Sequence, residues 1–161
     1  YSEAIRNGKV SAQKFAWLRF SRLYPLHFVT LLVVAVGQHW MMATQGKWFV
    51  YPRNDLFHFG LQIFFASKWG FEKGDSFNGP IWSVSIEVLL YILFFLVCRS
   101  RLAIKVGSVA LMLGGCLLWR YETYSALGRA IFSFFLGGFC FYAHSYVLRL
   151  GLSRAVIRGL L

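Results

Sequence analysis

Leu23 to Met42 is a run of 20 residues without an aspartate, glutamate, lysine or arginine. As an α-helix such a run is about 30 Å long, the thickness of a bilayer's hydrocarbon core. Only a helix satisfies its own backbone within one segment, so an apolar run of this length restricts the chain to helical membrane crossings. Pro80 to Val97, about Leu102 to Trp119, and Ala126 to Leu148 repeat the pattern. With 58% hydrophobic and 14% charged residues overall, the sequence predicts an all-α polytopic transmembrane helix bundle of about four spans. No long hydrophilic linker or internal repeat divides it, so residues 1–161 read as a single membrane domain.

A fifth apolar stretch, LFHFGLQIFFA from Leu56 to Ala66, is roughly 16 Å long as a helix and too short to cross. It is expected to form a re-entrant or interfacial helix. The charges agree with that choice. If this stretch does not cross, Arg6, Lys9, Lys14, Arg19, Arg22, Arg99, Arg101, Lys105, Arg149, Arg154 and Arg158 share one side with Glu3. Lys47, Arg53, Lys68, Lys73 and Arg120 then face Asp55, Glu72, Asp75 and Glu122 on the other. That asymmetry is the positive-inside pattern, with both ends cytoplasmic in an inner (plasma) membrane. Trp40, Trp48, Trp69, Trp82 and Trp119 fall near the outer interface and Trp17 near the inner one, as in an aromatic belt.

A net charge of +11 suggests nucleic acid in a soluble protein, but here topology and anionic membrane lipid account for it. Basic residues do not interleave with aromatics on a soluble face, so nucleic acid is not an expected partner. Cys98, Cys116 and Cys140 lie in or beside apolar runs without metal-ligand spacing and read as small core residues. His27, His39, His58 and His144 lack an i, i+4 ligand partner, so no metal is expected. Of the four, His58 alone lines a cavity if its short helix re-enters. The glycines of FFLGG, Phe134 to Gly138, are expected to permit close helix contact.

The run NGPIWSVSIEVLLYILFFLV, Asn78 to Val97, carries Glu87 about a third of the way in. Asn78 is expected to cap the helix and Pro80 to sit in its first turn, where a missing N–H is harmless. Ser83, Glu87 and Tyr91, four apart, then share one face, with Glu87 roughly 10 Å below the start. A carboxylate at that depth needs a partner, a proton or a water-filled cavity. Spacing alone leaves two readings. Glu87 either bridges to another span and fixes packing, with Arg129 of the last span as a partner, or stands in an aqueous pocket as a base or its orienter.

FAWLRFSRLYPLH, Phe15 to His27, holds a second candidate. If it is helical, Arg19 and Arg22 share a face and can grip a phosphate-bearing ligand together; as membrane-boundary arginines they equally suit lipid headgroups.

Taken together, FAWLRFSRLYPLH and the later SFNGPIWSVSIEVLLYILFF resemble the integral-membrane acyltransferase family 3. Its members carry an R-x-x-R element before one span and W-S-x-S-x-E opening another. The matching residues here are Arg19 and Arg22, then Trp82, Ser83, Ser85 and Glu87, with Tyr91 where the family usually has tyrosine. GRAIFSFFLGG, with Arg129, is similar to a looser family element. The resemblance covers roughly Lys14 to Phe141.

The resemblance implies a membrane O-acetyltransferase of surface glycans, moving an acyl group, usually acetyl from acetyl-CoA, to a hydroxyl of an extracytoplasmic carbohydrate. Arg19 and Arg22 would meet the phosphates of CoA. Glu87 would act as base or position one, while Ser83, Ser85, Tyr91 and Trp82 would stabilise the oxyanion or line the pocket, beside Asn78 and Arg129. The family has about ten spans and a catalytic histidine on an earlier helix, which His27 does not match. Many members also place a second acidic residue where Val88 stands. The 161-residue chain, which starts at Tyr1 without an initiator methionine, is therefore expected to be a fragment, inactive alone. Two other readings stay open: a non-enzymatic transporter segment with Glu87 and Arg129 on a solute path, and an inactive truncated relative.

Overall fold

The computed structural model describes residues 2–100 and 104–149. Leu102 and Ala103 of the third expected span, and Arg101, Arg154 and Arg158 of the basic set, lie outside the described residues. The described residues are all-helical, with α1 at Ser2–Arg6, α2 at Ala12–Gln45, α3 at Leu56–Ile63, α4 at Trp82–Arg99, α5 at Ile104–Trp119 and α6 at Ser125–Arg149. Two compact units result, Tyr1–Arg99 and Ser100–Leu161. Among the described residues, three helical segments are long and apolar enough to cross a membrane: Ala12–Gln45, Gly79–Arg99 and Ser125–Leu148. Ile104–Trp119 is apolar, but its 16 residues give only about 24 Å.

In the first unit, α2 is longer than the expected 23–42 span. Its 34 residues start where the Ser11 hydroxyl accepts the Lys14 N–H and stop at Gly46, which takes a left-handed φ of 67°. At 1.5 Å per residue this rod is about 51 Å long. It carries Arg19 and Arg22 within the helix rather than ahead of it. Pro25 lies inside and cannot donate to the carbonyl four residues earlier, yet the helix continues through it.

The lateral pattern of α2 is inverted relative to a helix of a water-soluble protein. Leu26, Val29, Val33, Val36 and Trp40 recur at helical spacing and are all exposed, Leu26 by 74% and Val36 by 71%. His27, Leu31 and Gln38 face inward, the two polar ones only 2% and 3% exposed. In water that outward face would be an unstable apolar stripe, whereas against lipid it is the required one. The buried polar side chains find partners inside: His27 Nε2 donates to the Gln62 carbonyl at 2.7 Å, and Gln38 Oε1 accepts the Phe49 N–H at 2.8 Å.

Helix α3 repeats the inversion, with His58 and Gln62 buried and Leu56 and Phe57 outward. It ends at Ile63, three residues before the expected end at Ala66, because Phe65 takes a positive φ of 55° that no right-handed helix accommodates. Phe65 is held there by packing: its ring lies 4.5 Å from that of His27 and 5.8 Å from that of Tyr24.

In the second unit, α5 and α6 form a helical hairpin crossing at glycines. A Cβ on Gly115 would stand 2.7 Å from the Phe132 nitrogen and 2.9 Å from the Gly128 carbonyl oxygen. One on Gly128 would meet the backbone of Gly115, Leu118 and Trp119. The expectation for the FFLGG glycines is therefore corrected, since a Cβ on Gly137 or Gly138 meets nothing within 4 Å. Cysteine is corrected in part: Cys98 is buried, but Cys116 and Cys140 are exposed, where a thiol suits an outward face as well as an inward one.

Candidate active site

The two sequence elements that stand far apart in the chain meet in the first unit. Arg19, one turn along α2 from buried Phe15, points its guanidinium over the Tyr91 ring, 4.3 Å from the centroid, and lies 5.6 Å from that of Phe15. Its Nη1 donates a long hydrogen bond of 3.4 Å to the Tyr91 hydroxyl. That hydroxyl in turn donates to Glu87 Oε1, one turn back along α4. Glu87 thus finds a hydrogen-bond partner on its own helix, as the i, i+4 spacing allows. Tyr91 links the arginine to the carboxylate and is held edge-on by Phe15 at 6.3 Å.

Beside this trio lies an apolar groove of about 330 Å³ between the first part of α2 and the second half of α4. Arg19 and Tyr91 supply its polar wall, and Phe15, Phe20, Phe65 and Phe95 much of the rest. A carboxylate bonded to a phenol and, through it, to a guanidinium, the latter two on the wall of an apolar groove, form a set able to accept a proton, hold it in place and counter a developing negative charge.

The remaining expected residues take separate positions. Ser85 is fully buried on the opposite face of α4, where its hydroxyl accepts the Lys68 N–H at 3.1 Å. Its carbonyl accepts the Trp69 indole N–H at 2.9 Å, so Trp69 is tied into the fold. Ser83 and Arg22 are exposed, and Trp82 is 47% exposed at the start of α4. Arg129 is exposed on α6 in the second unit. Asn78 takes the N-cap position of a 3-10 turn, with Pro80 in that turn as expected, but its side chain makes no capping hydrogen bond. Its amide donates to Thr30 Oγ1 at 3.1 Å, fastening the loop to α2, while residues Gly79–Ile81 form a 3-10 turn that leads into α4. Gly79 is needed in that turn because a Cβ there would run into the Tyr51 ring.

Sequence reasoning singled out His58 only as a cavity-lining residue of a re-entrant helix, and missed its partner Asp55 and Gln62. His58 is buried with its Nδ1 donating to the Asp55 carboxylate at 2.8 Å, while its Nε2 accepts the Lys73 N–H at 3.3 Å. Asp55 also accepts the His58 backbone N–H, so one carboxylate caps α3 and orients the imidazole. These bonds, first to the backbone and then to the ring, hold the Asp55 carboxyl below the usual carboxylate range. The D-x-x-H spacing was a readable signal for this pair. Gln62 was the other omission: its backbone and its side-chain amide join α2 to the loop at Ser76, a role that only the packed chain reveals.

Comparison of the chain with family models, with curated proteins and with solved structures gives no match.

Proposed function

We propose that this chain is part of a membrane O-acyltransferase that moves an acyl group, acetyl in the first instance, from acyl-CoA to a hydroxyl of an extracytoplasmic carbohydrate. The carrying observation is the Arg19, Tyr91 and Glu87 contact, which joins the two elements of the sequence resemblance at one edge of an apolar groove. In this reading four crossings, with Leu56–Ala66 as a partial one, put both ends in the cytoplasm of a bacterial inner membrane. Exposed Arg22 then receives CoA phosphates at the inner boundary, where anionic lipid also gathers. The pantetheine and acyl portions occupy the groove, whose aromatic lining excludes water.

Glu87 takes the proton of the acceptor hydroxyl. The acceptor oxygen bonds to the thioester carbonyl carbon, the C–S bond breaks, and the CoA thiolate leaves with the proton that Glu87 received. Tyr91 holds the carboxylate in position, and Arg19 sets the field that favours the charged intermediate.

The test uses the intact protein in its membrane. Glu87→Gln and Arg19→Ala are expected to abolish acylation of isolated surface polysaccharide at unchanged membrane levels. Full acylation by both variants would overturn the reading.

A further inference from the structure

Apart from the groove, the first unit contains a small recess of about 10 Å³ lined by Gln62, Ser67, Lys68, Asp75, Ser76 and Trp82. Its chemistry is unlike that of the groove because its walls are polar and two of its side chains are unused. Gln62 Oε1 and Ser67 Oγ are buried and have no hydrogen-bond partner, in residues that are 2% and 8% exposed. Buried polar atoms are ordinarily paired, so two orphans facing one recess call for a ligand group.

Gln62 is also held firmly. Its side-chain nitrogen donates to the Ser76 carbonyl at 3.1 Å, and its backbone carbonyl accepts from His27 at 2.7 Å. That arrangement fixes Oε1 as a preset acceptor, while Ser67 Oγ can donate or accept.

Size and charge narrow the occupant. About 10 Å³ is room for one hydroxyl or one water and not for a sugar ring. The Lys68 ammonium lies 2.9 Å from Asp75 and 3.8 Å from Glu72, so two carboxylates already answer the local cation. An anionic ligand is disfavoured there. At the rim the half-exposed Trp82 indole offers a flat apolar surface. A donor-acceptor hydroxyl attached to a ring with an apolar C–H face matches each of these features.

We infer that this recess binds one hydroxyl of a neutral sugar, with Gln62 and Ser67 as its partners and the ring resting against Trp82. The inference deepens the proposed acyl transfer by naming the acceptor as a neutral glycan residue, and it rests on that reading for the transfer step once the sugar is bound.

The test is binding without any acyl donor, read by tryptophan fluorescence of the intact protein in lipid nanodiscs. The probes are the methyl α-glycosides of glucose, galactose and mannose. At least one is expected to bind saturably, with affinity reduced about tenfold or more in Gln62→Met and in Ser67→Ala. Ser67→Ala removes no internal hydrogen bond of its side chain, so it guards against loss through misfolding of the Gln62 variant. If none of the three glycosides binds, or if both variants bind as the parent does, the recess holds a resident water only and the inference falls. Sugar binding that depends on Gln62 and Ser67 without any acylation by the intact protein would instead sink the transferase reading and leave the subsite. Acylation with an acceptor KM unchanged in both variants would do the reverse.

Discussion

The guanidinium of Arg19 lies 4.3 Å above the ring of Tyr91, although 72 positions of sequence separate the two residues. The same phenol carries the hydrogen bond to Glu87, so it both supports a cation and restrains an anion. Stacking and hydrogen bonding through Tyr91 can therefore be separated by substitution. Tyr91→Phe keeps the ring under Arg19 and removes only the hydroxyl. In the intact protein, acyl transfer is expected to fall about tenfold or more through mispositioning of Glu87, less than the roughly 100-fold or greater loss expected for Glu87→Gln if Glu87 is the base. Arg19→Lys keeps the charge but loses the planar contact, and should resemble Arg19→Ala more than the parent. Glycan acylation measured at matched protein levels decides the order.

Ser83 and Ser85 are next-but-one neighbours with opposite environments. Ser85→Ala leaves the part-buried Lys68 N–H without its acceptor, a cost of about 1–3 kcal/mol. Amide exchange at Lys68 and Trp69 should quicken accordingly. Ser83→Ala, at an exposed position, should leave stability unchanged within about 0.5 kcal/mol. Equal stability losses in the two variants would contradict the assignment of Ser85 as the fastening residue.

The hairpin of the second unit predicts a contrast among glycines. Gly115→Ala and Gly128→Ala each force backbone apart and should cost about 1–3 kcal/mol, read as a lower unfolding temperature in detergent. Gly137→Ala and Gly138→Ala meet open space and should not lower it. Indeed, alanine's better helix propensity favours a small gain at these two sites.

Acid should loosen the start of α3 through Asp55. Because the folded carboxyl is held below its ordinary value, its contribution is complete above the unfolded pKa, about 3.9, and is lost as pH falls through the lower folded value. Amide exchange at His58, corrected for its intrinsic pH dependence, should therefore be steady from neutral pH down to about pH 4 and rise below it. Asp55→Asn keeps a good capping side chain and removes the titration, so its corrected exchange should lack that acid step.

Much of this architecture was legible in the residues. Apolar run length announced the helices, and the i, i+4 spacing of Glu87 and Tyr91 anticipated the contact that the structure contains. What spacing left open was the partner from outside the helix. Arg19 meets Tyr91 because α2 continues past Leu23 back to Ala12, whereas the uncharged apolar run alone placed the start of the span at Leu23. The glycine contact was misplaced for a related reason: small residues permit close approach, but which ones face a neighbour depends on the rotation of the packed helices. Helix ends were hardest, since Phe65 is driven to a positive φ by the rings around it rather than by its own preference.

Pro25 divides α2 into two arms with different attachments. The arm before it carries Arg19 and holds α4 through Tyr91, whereas the arm after it is pinned by His27 to Gln62, by Thr30 to Asn78 and by Gln38 to Phe49. The bond missing between them is one that a straight helix would use to resist bending. The rod thus has a joint where one arm meets the other, and a bend there would tilt the arm that carries Arg19 while the loop anchored to the second stays in register.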